Sequence, residues 1–158
     1  MGEGHNFKQL RDGILVLSNA TDWEVAQKEW SLVNVYEADE PETCLCGHFP
    51  IMEICQISNR ITGHRTEVGN RCVQRFLGVR SDLIFTAIKR IRKNISKSLN
   101  ADAIAFFKER GALNDWEYGF LQDTKNKRNL STAQMTARRR INAKILSAIS
   151  RRGFKGPN

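Results

Sequence analysis

Apolar residues recur at helical spacing through the second half of the chain, whereas the first half carries short apolar runs divided by turn residues. Ile84, Ala87, Ile88, Ile91 and Ile95 fall at i, i+3, i+4, i+7 and i+11 behind Ser81, which predicts a capped amphipathic helix. Lys89, Arg92 and Lys93 lie off that stripe. Asn100 caps a second helix through Ile104 and Phe107, stopped by Gly111. Asn114 with Glu117 opens a third, carrying Trp116 and Phe120 one turn apart. Ser131 with Gln134 forms a capping box for a long last helix ending before Gly153. On it Ala137, Ile141, Ile145 and Ala148 are expected inside, and residues 154–158 form a loose tail.

The first half reads differently. His5 to Leu17 suits a short strand or helix, broken at Gly13. Thr21 and Glu24 form a capping box that opens a short helix, with Trp23, Ala26 and Trp30 on one face as core. Leu32–Tyr36 is a strand, ended by the acidic, proline-containing stretch 38–42. Ile54–Ile57 and Arg65–Val68 pair as a hairpin around Asn59–Gly63, where glycine suits a positive φ. Asn70 then caps a helix through Cys72, Val73, Phe76 and Leu77, closed by Gly78. The expected fold class is α+β: residues 1–80 form a treble-clef-like zinc module with a small β-hairpin. An all-helical bundle over 81–153 packs on it as one unit, because Ile84, Ile88 and Ile91 are too apolar to stay exposed and 78–80 is too short for a free linker.

Composition narrows this picture without naming a function. The 158 residues are 41% hydrophobic and 27% charged, with three prolines, which fits an ordered globular chain. No apolar run approaches the ~20 residues of a membrane span, and Ile14–Leu17 is too short for a secretory signal core. A cytoplasmic protein with reduced thiols and no membrane partner is expected. Charge is more informative. The net charge is +8, but residues 1–58 hold 3 Lys/Arg against 10 Asp/Glu, and residues 59–158 hold 22 against 7. From Thr124 onward there are 10 basic residues and no acid. Such a field suits a polyanion, most often nucleic acid, although a solvated basic bundle has the same composition.

All four cysteines lie between positions 44 and 72, spaced C-x-C-x8-C-x16-C. In a reduced compartment this clustering favours a metal over disulfides. Zinc takes four N or S ligands at tetrahedral corners. Cys44, Cys46, Cys55 and Cys72 are the expected ligands of a structural Zn2+, with His48 as an alternative. A knuckle, a hairpin and a helix whose first turn supplies a thiolate form a treble-clef-like order. Buried cysteines packed as small hydrophobes would explain the same residues without a metal. Four thiolates close the coordination shell, which speaks against catalytic zinc. The three histidines are His5, His48 and His64, and none falls on the helix after Asn70, so a treble-clef nuclease using His64 is a weak alternative. The chain has no Walker loop, dinucleotide fingerprint or nucleophile elbow, and an enzyme is not expected.

The runs Glu29-Trp30, Ala38–His48, Ile54-Cys55, Asn59, Thr62-Gly63, Glu67–Asn70 and Cys72-Val73 together resemble a family of small proteins of bacteriophages, prophages and plasmids that lacks an established activity. The resemblance continues through Asn100–Ala103, Asp115–Leu121 and Leu130-Ser131. It implies a bacterial cytoplasm, a mobile-element gene and a zinc-binding fold, and it implies no reaction. The function expected from residues and resemblance together is nucleic-acid binding, DNA ahead of RNA, in an accessory or regulatory role. The expected contacts are Lys125, Lys127, Arg128, Arg138, Arg139, Arg140, Lys144 and Arg151, of which Arg140, Lys144 and Arg151 share one helical stripe. The alternative is a phage-encoded inhibitor or adaptor that binds a host protein complex, and the charge asymmetry would also serve self-association.

Overall fold

The computed structural model describes residues 4–149. It is a mixed α and β structure with one three-stranded antiparallel sheet and, among the described residues, seven helices. The chain divides into two compact units between Val79 and Arg80.

The first unit contains α1 (Gly4–Val16), α2 (Trp23–Gln27), β1 (Trp30–Glu42), β2 (Ile51–Asn59), β3 (Arg65–Gly69) and α3 (Asn70–Leu77). The strands lie in the order β1-β2-β3, and Val35, Cys55 and Val68 form one cross-strand row. All three are fully buried, with Ile57 beside them, and α3 lies against all three strands. Aromatic rings join the helices: Trp23 stacks on Phe76 at 5.3 Å, and Phe7 and Trp30 meet the pair edge-on. Trp23 and Trp30 therefore serve the core, as the sequence predicts.

A buried carboxylate ties the turns of this unit. Glu29 accepts hydrogen bonds from the Asn19 and Ala20 backbone N–H groups, each at 2.9 Å, and from Asn59 Nδ2 at 2.8 Å. The Asn59 bond is the main cause holding its carboxyl below the ordinary range. Asn59 Oδ1 in turn accepts from Ile61 and Thr62, which fixes the hairpin turn closed by Gly63 at φ +81°.

Several local expectations are corrected. α1 is one continuous helix, and Gly13 does not break it: a Cβ there would meet the Leu45 side chain at 3.0 Å, so this glycine permits close packing. Asp22, and not Thr21, caps α2 by accepting from Val25 N–H. β1 runs on through 38–42, its pairing shifted between Glu37 and Glu42; as an edge strand it tolerates Pro41. Gly69 takes the cap position of α3, and the Asn70 side chain donates to Glu53 instead.

The second unit contains α4 (Ser81–Lys93), α5 (Ala101–Glu109), α6 (Asp115–Thr124) and α7 (Thr132–Ile149). Ile84, Ala87, Ile88 and Ile91 of α4 are buried, with Ala103, Ile104 and Phe107 of α5, Leu121 of α6 and Ile141, Ile145 and Ile149 of α7. Burying each isoleucine contributes ~1.5–3 kcal/mol. The polar caps of α5, α6 and α7 match their sequence signals, whereas Ser81 does not cap α4: it is the first, buried residue of the helix, and Arg80 holds the cap position without a side-chain cap bond. Asn100 accepts from Ala103 N–H, and Asn114 and Glu117 form the reciprocal box, as do Ser131 and Gln134. The buried face of α7 differs from expectation. It runs through Arg138, Ile141, Asn142, Ile145 and Ile149, while Ala137 and Ala148 are half-buried. Two polar side chains thus occupy inward positions that a purely apolar reading cannot assign.

Candidate metal centre and basic surface

Cys44 and Cys46 lie in the turn between β1 and β2, and Cys72 is the third residue of α3. The turn closes on itself: Gly47 N–H donates to Cys44 O at 2.8 Å and Cys44 N–H to His48 O at 2.9 Å. Gly47 adopts φ +93°, and a Cβ there would come within 2.9 Å of the Gln9 side chain, so both backbone shape and packing against α1 require glycine. The hairpin and the first turn of α3 then bring Cys72 to the same place.

The sulfurs of Cys44, Cys46 and Cys72 all lie within 4.8 Å of one another, close enough to hold a metal ion. Zinc–thiolate bonds of about 2.3 Å at tetrahedral angles place sulfurs about 3.8 Å apart, so the donor set fits. Cys44 and Cys72 are 3.5 Å apart, and none of the cysteines forms a disulfide. Cys44 and Cys46 are buried. The Cys44 sulfur accepts from Gly69 N–H at 3.2 Å and Cys46 N–H at 3.5 Å. The Cys72 thiol and these donors pull Cys44 down to about 5, against the opposing effect of burial. Cys72 is pushed up, first by its bond to Cys44 and then by burial. The Cys44 and Cys72 sulfurs thus share a hydrogen bond at 3.5 Å, and a cation bound between them would take the place of that proton.

Cys55 stands apart from the other three. It lies mid-strand on β2 between Val35 and Val68, fully buried on the face that meets α3. Strand registry decides this, because the row it shares is apolar. The His48 side chain is exposed and is not in the sulfur cluster, although its carbonyl helps close the turn. His64 is exposed in the hairpin turn. Asn6 of α1 was not singled out in the sequence; its Nδ2 donates to Cys46 O at 3.1 Å and approaches the Cys46 sulfur at 3.7 Å. No spacing rule links residue 6 to residue 46, so only tertiary packing reveals it.

The basic residues separate into two groups. Arg138 is buried and structural: it donates to Ser96 O and to Thr124 O, at 3.3 and 2.7 Å. Asn142 donates to Ile95 O and Lys97 O at 2.9 and 2.8 Å. Ser98 Oγ donates to Lys125 O, and Arg139 Nε to Ser96 Oγ. Together these bonds hold the α4–α5 and α6–α7 connections side by side at one end of the helical unit. Residues 89–100 carry five Lys/Arg and no acid, and residues 124–149 carry seven and no acid. Arg90, Arg92, Lys93, Lys97, Lys127, Arg128 and Arg139 are all exposed there.

Lys125 is half-buried, its Nζ against Gln122. Arg140 and Lys144 are exposed on α7, but Lys144 Nζ lies 2.7 Å from Glu117 Oε1 and is partly neutralised. Arg151 lies outside the described residues. The exposed cations at the α4 end lie outside the basic residues expected from the sequence, although the acid-free run 89–100 is their sequence signal.

No family model matches the chain, and no curated protein and no solved structure shows significant similarity to it. No helix among the described residues is long and apolar enough to cross a membrane.

Proposed function

We propose that the protein is a zinc-stabilised nucleic-acid-binding protein with an accessory or regulatory role for a mobile element in the bacterial cytoplasm. The observation that carries the binding role is the joining of two acid-free segments at one end of the helical unit by Arg138 and Asn142. Fixed cations release counterions from a phosphate backbone, and contacts of this kind position a partner without reading its sequence. DNA remains ahead of RNA, with modest specificity.

Cys44, Cys46 and Cys72 would supply three of the four zinc ligands, and the order of turn, hairpin and helix supports a treble-clef-like reading. The ion supplies a structural cross-link between the β1–β2 turn, α3 and, through Asn6, α1. The resemblance of residues 29–73 to proteins of phages and plasmids supports the setting.

Binding of labelled DNA and RNA across a salt series tests the reading. Affinity should fall steeply with salt. Charge reversal at Arg92, Lys97, Lys127 and Arg128 should abolish it while zinc content and helicity persist. Absence of binding at low salt would overturn the reading in favour of a protein partner.

A further inference from the structure

Trp116 is 57% exposed, although tryptophan is among the side chains that gain most from burial. It is not loose. Its ring stacks on Phe120 one turn later, at 5.2 Å between centroids and 8° between planes. The helix beneath is fixed by the Asn114–Glu117 box. The outcome is a flat, pre-ordered aromatic surface with one face supported and the other open.

Its position on α6 follows from the 100° step of a helix. Tyr118 faces α5, since Lys108 Nζ lies 5.7 Å over its ring. Glu117 faces α7, where it meets Lys144. Trp116 and Phe120 occupy the flank beyond Glu117, away from Tyr118. α6 and α7 run antiparallel, because Arg138 reaches Thr124 while Lys144 reaches Glu117. Lys144 pairs with Glu117, the neighbour of Trp116, and Arg140 is close enough to act on the same carboxylate, so cations of α7 continue from the basic end toward the ring. Thr124, at the basic end, is eight positions along α6 from Trp116, ~12 Å at the rise of a helix.

We infer that Trp116, backed by Phe120, is a base-stacking platform for single-stranded nucleic acid whose backbone runs along the α6–α7 flank to the basic end. Cations that track a backbone beside an open aromatic ring are the arrangement by which single strands are held without base-specific hydrogen bonds. A duplex keeps its bases stacked on one another and offers the ring nothing except at its ends. The acid-free run of α7 favours a polyanion over an apolar protein surface. Asp123, one turn beyond Phe120, is the opposing charge on this flank, and Asp123→Asn should tighten binding.

The inference rests on the nucleic-acid reading, and one experiment separates the two. The full chain, Trp116→Ala and Trp116→Phe are titrated with a labelled mixed-sequence single strand and with the same sequence as a duplex, at low salt. Protein fluorescence is followed in parallel; Trp23 and Trp30 are packed against Phe76 and provide a constant background. The single strand should bind more tightly and quench the fluorescence. Trp116→Ala should lose ~10-fold or more for the single strand and little for the duplex, and Trp116→Phe should recover most of the loss. Equal loss on both forms, or no loss with the single strand, would overturn the platform while the basic surface stands. If neither form binds the parent chain, both readings fail, and Trp116 would belong to a protein contact.

Discussion

The sheet unit and the helical unit both bury an apolar core but differ in how their elements are joined. Residues 1–79 carry 7 Lys/Arg and 11 Asp/Glu, and their strands, short helices and turns are joined by single side chains of long reach. Glu29 joins residues 19, 20 and 59, and three cysteines join residues 44 and 46 to residue 72. Residues 80–150 carry 15 Lys/Arg and 6 Asp/Glu, and repeated isoleucine stripes supply their core. The first unit therefore adds a few polar and thiolate junctions of long reach to its own buried apolar core. The second joins its helices through apolar stripes, with Arg138 and Asn142 as the polar junction at one end. The contrast teaches where each kind of substitution should be felt.

The largest effect is expected at the sulfurs. Structural zinc contributes ~10–16 kcal/mol of apparent binding energy in zinc-finger peptides. Cys44→Ser or Cys72→Ser should lose the metal and the protection of sheet amides, while amides of α4 and α7 stay protected. Elemental analysis with hydrogen exchange on the full chain measures both. Cys55→Ser should keep the metal and cost only the ~1–3 kcal/mol of a buried hydroxyl. Loss of zinc in Cys55→Ser would place that residue among the ligands. Acidification should also release the metal, since protons compete with it for the thiolates.

The reciprocal substitution is in the helical core. Ile88→Ala or Ile91→Ala should cost ~2–5 kcal/mol in urea unfolding and leave zinc content unchanged. Coincident loss of metal would show that the two units are not separable in their stability.

Next in size is Arg138→Met. It removes the donors to Ser96 O and Thr124 O, and each buried carbonyl left unpaired costs ~1–3 kcal/mol. Nucleic-acid affinity should fall here through disorder of the basic end, so it should be restored at lower temperature, whereas Arg128→Glu should weaken binding at every temperature.

The smallest effect concerns Glu117. Burial raises its pKa, but the Lys144 ammonium and the Asn114 N–H outweigh burial and hold it below the usual carboxylate range. A lowered folded value means that its stabilisation is complete above about pH 4.5 and is lost as pH falls through the folded value. Lys144 is half-exposed, so the ion pair is worth less than ~1 kcal/mol. Glu117→Gln should flatten the acid limb of a thermal-melting profile of the helical unit and leave the sheet unit's limb unchanged.

Read alone, the sequence determined the helices of the second unit, the hairpin, and the caps at Asn100, Asn114 and Ser131. These depend on local spacing and on hydrogen bonds within a few residues, and a one-dimensional pattern carries both. Tertiary structure decided the rest. Strand registry sent Cys55 into an apolar row and away from the other sulfurs. Asn6 and Gly13 met the cysteine turn from about 30–40 residues away, as α1 packs against it. Arg138 and Asn142 turned inward because two loop ends needed donors, a demand that exists only once those loops are side by side. Buried polar groups answer to partners distant in the chain, and that is why periodicity could not place them.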